Sequence, residues 1–241
     1  MSEQHPHPET VVLLPVYRPG KALHDLVTEL LAEGFEAART IIVDDGSGPD
    51  AESELAVMRL LGCTVLQHPS NQGKGIALKT GFRYAVTAHP GLDVVCADPD
   101  GQHHATDIRR VAERAGQGHI VLGVRAFDGM PARSRFGNTI TRALFRAATG
   151  RGVSDTQTGL RVYPSALLER LCAVPGERFE YEMNVLLEAA RTGHRIEEVR
   201  IPTIYVDGNS SSHFGSVADS VRIYRPLLQY AATSLLSRRA A

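Results

Sequence analysis

Two carboxylates, Asp98 and Asp100, stand two residues apart just after the branched apolar run Asp93 to Ala97, with Gly101 and Gln102 following. Past the end of a strand, such a pair aims two hard oxygen donors at one point. That suits Mg²⁺ or Mn²⁺ and leaves positions open for phosphate oxygens, so a bound ion would neutralise a leaving pyrophosphate. The segment is no EF-hand, because Gly101 holds the fourth place rather than the sixth. His103 and His104 read as helix-start or supporting residues before they read as ligands. Two other polar groups follow apolar runs: Pro15-Val16-Tyr17 and Asp44-Asp45-Gly46-Ser47. Each alone has the composition of an ordinary turn. On the carboxyl edge of one parallel sheet, all three would face a common crevice. Asn71 to Gly75 puts Lys74 at a helix start, which either holds an anion or caps the helix. It is not a Walker A loop, since Lys79-Thr80 is preceded by Leu78.

The elements that must position these groups are legible as alternation. Val11 to Val16, Thr40 to Val43, Thr64 to Leu66, Asp93 to Ala97 and Ile120 to Val124 are short and rich in branched residues, as strands covered on both faces should be. Between the first two, Leu23, Leu26, Val27, Leu30 and Leu31 repeat at helical spacing, with Gly34 beyond. Further helices are expected over Glu52 to Leu61, Gly75 to Ala88 and Thr106 to Ala115. This order implies a mostly parallel α/β sheet with helices on both faces and a ligand site beyond the strand carboxyl ends. After Val124 the rhythm breaks. The Gly, Pro and Arg-rich stretch Arg125 to Asn138 precedes helices near Thr139 to Ala148, Ser165 to Leu171 and Tyr181 to Arg191, with a polar turn at Gly150 to Gly159 and a strand at Arg195 to Ile201. Neither a linker nor a repeat interrupts the chain, which reads as one domain with an elaborated C-terminal half.

The bulk properties agree. The chain has 241 residues, 43% hydrophobic and 22% charged, with 26 Lys and Arg against 27 Asp and Glu. It is long enough for a large core, and a net charge of −1 supplies no field toward nucleic acid. The three cysteines stand singly, which excludes a disulfide framework or structural zinc and fits a reducing compartment. Met1 to Glu9 lacks the pattern of a signal peptide, and stretches such as Leu227 to Leu236 fall short of the roughly 20 apolar residues that span a bilayer. The expected location is cytoplasmic.

Val11 to Tyr17, Ile41 to Ser47, Asn71 to Gly75, Asp98 to Gln102 and Asp155-Thr156-Gln157-Thr158-Gly159-Leu160-Arg161 together resemble, in order and spacing, the landmarks of family 2 glycosyltransferases with the GT-A fold. Through Asp155 to Arg161 and Phe179-Glu180-Tyr181-Glu182 the chain is most similar to the dolichyl-phosphate and polyprenyl-phosphate sugar synthases. The resemblance implies a Rossmann-like domain over residues 10–205, with 10–124 as the nucleotide-sugar half and 125–205 as the acceptor half. Residues 206–241 would form an acceptor loop and an amphipathic tail. It further implies that Pro15, Tyr17, Asp44 and Asp45 cradle base and ribose with Lys74 nearby. Asp98 and Asp100 would bind Mg²⁺ or Mn²⁺ and nucleotide, with Gln102 as a further metal ligand. Arg125 and Arg135, or Arg133 in its place, would face the diphosphate or acceptor phosphate. Pro99 departs from the small residue usual between the two acids and offers no backbone N–H.

Such enzymes displace the nucleoside diphosphate of a GDP- or UDP-sugar from the anomeric carbon with inversion. A hydroxyl acceptor needs a base, for which Asp155 is the candidate. A polyprenyl phosphate arrives as an anion and needs positioning groups, for which Arg161, Ser211 and His213 are the candidates. Glu180 and Glu182 read first as acids favourable to a helix N-terminus. Residues 217–241 carry Arg222, Arg225, Arg238 and Arg239 against Asp219, a local net of +3, interleaved with apolar residues. Such a tail either makes a peripheral contact with the inner face of a membrane or packs on the domain or a second copy. The alternatives to a lipid phosphate are a saccharide or small-molecule hydroxyl as acceptor, or an idle nucleotide-sugar-binding partner of a membrane enzyme.

Overall fold

The computed structural model describes residues 9–125, 132–202 and Tyr230, with 132–137 as backbone only. Seven strands form one sheet: β1 (Thr10–Val16), β2 (Thr40–Asp44), β3 (Thr64–Gln67), β4 (Asp93–Cys96), β5 (Ile120–Arg125), β6 (Arg161–Tyr163) and β7 (Ile196–Ile201). Their order is β3-β2-β1-β4-β6-β5-β7. All neighbours are parallel except β6, which runs antiparallel to both β4 and β5. The expected α/β sheet is present. The antiparallel insertion of β6 is the feature that alternation along the chain did not disclose, because three residues are too short to carry a period.

Helices cover both faces. On one side lie α1 (Lys21–Ala32), α2 (Glu52–Leu60) and α4 (Ala105–Ala112). On the other lie α3 (Lys74–Ala88), α5 (Ala132–Thr149), α6 (Leu168–Ala173) and α7 (Glu180–Arg191). The strands alternate accordingly: Val11 and Leu13 enter one core, Val12 and Leu14 the other. In α1 the periodic Leu23, Leu26, Val27 and Leu30 are buried, each contributing roughly 1.5–3 kcal/mol. Helix α5 begins seven residues before its expected start, since Arg and Gly at Ala132 to Asn138 masked the pattern. Cys63 and Cys96 are buried and all three cysteines are free.

Sheet order reverses direction between β1 and β4, which opens a crevice at their carboxyl ends. Three ladder contacts hold that edge together. Asp45 N–H donates to Val16 O at 2.8 Å, His68 N–H to Asp44 O at 2.8 Å and Ala97 N–H to Leu13 O at 3.2 Å. The strand ends after β1, β2 and β4 therefore lie side by side, as expected. No helix among the described residues is long and apolar enough to cross a membrane.

Candidate active site

At the carboxyl end of β4, Asp98 and Asp100 are both half-buried. The Lys74 ammonium, at the first residue of α3, lies 2.7 Å from Asp98 Oδ1 and 3.0 Å from Oδ2. It also reaches Glu182 Oε2 on α7 at 2.9 Å. Burial disfavours the ammonium, but the two carboxylates outweigh it and raise the Lys74 pKa. Burial would likewise raise Asp98, yet Lys74 holds its carboxyl below the usual range. Asp100 moves the other way. Burial, then the charge of Asp98, push it up to about 6.

Gln102 is turned onto Asp100: its N–H meets Oδ1 at 3.0 Å and its side-chain amide meets Oδ2 at 2.8 Å. Two carboxylates with an adjacent amide form an all-oxygen set of the kind that holds Mg²⁺ or Mn²⁺ together with substrate phosphates. Burial and, after it, the charge of Asp98 raise Asp100, and a divalent cation would offset the second of these. The residues therefore fit such an ion, with few protein ligands: no group of three or more His, Cys, Asp or Glu is gathered for a metal among the described residues. His103 is buried behind the pair, its Nδ1 has no hydrogen-bond partner, and burial pulls its pKa down to about 4. His104 is the N-cap position of α4, in keeping with a helix-start role.

The β2 end is organised around its two acids. Asp44 accepts from the Ser47 N–H at 3.1 Å and from the Ser47 hydroxyl. Asp45 is buried and accepts from Gln72 N–H at 2.9 Å, Gly73 N–H at 2.7 Å and lies 2.8 Å from His68 Nδ1. Both were expected to cradle base and ribose; here their carboxylates shape the loops around that crevice. Pro15 and Tyr17 are half-buried at the end of β1. The Arg18 guanidinium stacks over the Tyr17 ring at 5.2 Å, and Arg18 is the one non-glycine residue described with positive φ, at 52°.

Across the crevice the segment Asp155 to Arg161 departs from expectation. Asp155 is fully buried and accepts from Arg125 Nε at 2.7 Å, Arg125 Nη2 at 3.2 Å and Asn138 Nδ2 at 3.1 Å. Burial would raise its pKa, but Arg125 outweighs that and lowers it. A buried, paired, weakly basic carboxylate is poorly placed to take a proton, so the geometry speaks against Asp155 as a base. Arg161, expected at an acceptor phosphate, is also fully buried. Its guanidinium donates to the carbonyls of Thr158 at 2.8 Å, Thr156 at 3.2 Å and Glu182 at 2.8 Å. It fastens this loop to α7 and turns no face to an acceptor. Arg125, at the end of β5, keeps 19% of its side chain exposed beside Asp155. Arg135 lies on α5 with its side chain outside the described residues, as do Ser211 and His213.

Glu182 is the site residue that sequence reasoning passed over. Its neighbour Glu180 does behave as a helix-start acid, accepting from the N–H groups of Glu177 at 2.9 Å and Arg178 at 3.2 Å. Glu182 instead turns inward to Lys74. The usable signal was their spacing, since residues two apart on a helix point in different directions.

A three-layer α/β domain with an acid pair at its switch point is the architecture of a nucleotide-binding enzyme. The family model for Glycosyl transferase family 2 matches residues 11–171, and the chain belongs to that family. Among relatives, an uncharacterized protein of Methanocaldococcus jannaschii is 28% identical over 229 residues, covering 92% of each chain. The UDP-N-acetylglucosamine–dolichyl-phosphate N-acetylglucosaminyltransferase of Methanococcus voltae is 27% identical over 219 residues, 81% of this chain and 86% of that one. An undecaprenyl-phosphate 4-deoxy-4-formamido-L-arabinose transferase of Pseudomonas aeruginosa is 30% identical over 170 residues, 67% of this chain and 49% of that one. In fold the chain is similar to glucosyl-3-phosphoglycerate synthase from Mycobacterium tuberculosis, solved with Mn²⁺, UDP and glucosyl-3-phosphoglycerate. The TM-score is 0.68 at 19% identity, covering 92% of this chain and 80% of that one. A mannosyltransferase from Pyrobaculum calidifontis, solved with GDP-Man and Mn²⁺, gives a TM-score of 0.62 at 19% identity over 95% and 64% of the two chains. The protein is a nucleotide-sugar glycosyltransferase of family 2 with a GT-A-like fold.

Proposed function

We propose that the protein transfers the sugar of a GDP- or UDP-sugar, with inversion and with Mg²⁺ or Mn²⁺, to a polyprenyl phosphate. The acid pair Asp98 and Asp100 at the β1/β4 crevice carries the donor side of this reading. The acceptor rests on likeness to relatives named for dolichyl-phosphate and undecaprenyl-phosphate transfer. The engagement of Asp155 by Arg125 and Asn138 favours the same acceptor, because a phosphate monoester arrives ionised and needs no base.

In this mechanism the strand ends at Pro15, Tyr17 and Asp44 receive the nucleoside, within a frame braced by Asp45. Asp98 and Asp100 would hold the divalent ion, which when bound would offset the charge of the leaving diphosphate. An acceptor phosphate oxygen forms a bond to the anomeric carbon on the face opposite the diphosphate, as the bond to the diphosphate oxygen breaks. Arg125 contributes positive charge on the acceptor side. Arg135, Ser211 and His213 remain candidates for the acceptor phosphate. The basic tail gives a peripheral route to the membrane where that acceptor resides.

The test is release of nucleoside diphosphate from a panel of GDP- and UDP-sugars with Mn²⁺, with and without dolichyl or undecaprenyl phosphate. One donor should turn over only when the lipid phosphate is present, and Asp100→Asn should reduce turnover at least about 100-fold. Turnover with saccharide or small-molecule hydroxyls instead would replace the acceptor, and an unaffected Asp100→Asn would remove the metal role.

A further inference from the structure

Lys74 occupies an unusual place for a side chain beside a metal-type acid pair. Its ammonium spans both oxygens of Asp98, at 2.7 and 3.0 Å, so both donor atoms of that carboxylate already face a cation. The same ammonium lies 2.9 Å from Glu182 Oε2, a contact that does not involve Asp98. The surroundings fix both seats. Lys74 follows Gly73, whose φ of 105° and contact with Glu177 clamp the start of α3 against the start of α7. The Ile76 N–H also donates to Glu177 O at 3.1 Å. Glu182 is held in place from behind, its carbonyl accepting from Arg161 Nη1 at 2.8 Å and its Oε1 lying 4.0 Å from Arg161 Nε. Asp98 is pressed against Gly159, where any Cβ would overlap its carboxylate. Both carboxylates are therefore braced by neighbours, and the four-carbon lysine stem between them has rotatable bonds through which its charge can shift.

We propose that Lys74 is a resident cation of Asp98 that yields to the divalent ion, and that Glu182 is the positioning residue that receives Lys74 when it yields. A compact ammonium and a divalent ion cannot share the same carboxylate oxygens, since like charges about 4 Å apart repel strongly in a half-buried site. Without Glu182, the displaced ammonium would have no buried partner and would stay on Asp98. With it, a small swing keeps the ammonium paired and leaves it beside the diphosphate, where positive charge is wanted. Metal entry thus exchanges one cation for another at Asp98 and never leaves the acids uncompensated. This inference rests on the metal reading of the acid pair given above.

The exchange is tested by binding of Mn²⁺ alone to the full-length protein, followed by the paramagnetic resonance of the free ion, and repeated with UDP or GDP. Lys74→Met removes the competitor, so it should bind Mn²⁺ alone about tenfold more tightly than wild type. Glu182→Gln removes the second seat, so it should bind Mn²⁺ about tenfold more weakly, with kcat recovering at saturating Mn²⁺. Glu182→Asp should restore part of the affinity. If Lys74→Met does not fold, Lys74→Gln carries the same expectation. Mn²⁺ affinity that is unchanged in both variants, or weakened in both, would overturn the exchange and leave the metal reading intact. Absence of Mn²⁺ binding by wild type and Lys74→Met alike, even with nucleotide, would overturn the metal reading and the exchange together.

Discussion

Asp98 and Asp100 are chemically identical and two residues apart, yet their carboxyls move in opposite directions: the Lys74 ammonium 2.7 Å away holds Asp98 down, while burial and the charge of Asp98 raise Asp100. The pH dependence follows. Asp100 in the folded protein holds its proton up to about pH 6, above the ordinary range of an exposed aspartate. Between the unfolded and folded values, rising pH thus weakens the fold, and a divalent ion bound as proposed would reverse this by favouring the ionised form. Mn²⁺ affinity should level off above pH 6 and fall about tenfold per unit below it, measured by titration at fixed ionic strength. Asp155 has the opposite character: it is itself fully buried and its pKa is lowered by its partner Arg125. Asp155→Ala should cost about 3 kcal/mol, or roughly 6–12 °C in Tm, because it removes the buried carboxylate that accepts from Arg125 and Asn138 and leaves a cavity in its place. A normal melting curve with abolished turnover would restore Asp155 as a reacting group.

At the scale of elements, the loop between α5 and β6 has the most consequence. It carries Asp155, which anchors Arg125, then Gly159, which abuts Asp98, and Arg161 at the first residue of β6 ties it to α7. Gly159→Ala should leave the far-ultraviolet spectrum unchanged while lowering turnover about 100-fold, since it displaces Asp98 without touching substrate. An unaffected rate would mean that the loop tolerates the methyl group by moving away from the carboxylate. The β6 strand that follows, inserted antiparallel between β4 and β5, delivers Arg161 into the interior. This explains why an arginine in a motif-like segment works here as a fastening of the fold.

For the molecule as a whole, the balanced net charge of −1 hides a local separation, with acids at the crevice and a +3 tail at residues 217–241. Tyr230, the tail residue described, is half-buried against the core that lies under α3, α6 and α7. The tail therefore touches the domain at that point, while its arginines lie outside the described residues. Full-length protein should sediment with anionic vesicles at low salt and be released by about 0.5 M salt, as screened surface attraction requires. Failure to sediment would assign the tail to packing alone.

The sequence by itself determined the α/β class, the strand ends that meet at the crevice, and the acid pair, because each depends on periods and spacings within one or two consecutive elements. Asp44, Asp45 and Asp98 could be placed at one edge from alternation alone, whereas Lys74 was brought near them only by the resemblance. Only the tertiary structure decided what their charges face. Glu182 joins Lys74 from an element more than 100 residues away, Arg161 turns inward on an antiparallel strand too short to have a pattern, and Asp155 is buried against Arg125 and Asn138. Burial and partner charge, which set whether an acid binds a metal, takes a proton or braces a loop, are properties of the packed neighbours and are written nowhere in the local sequence.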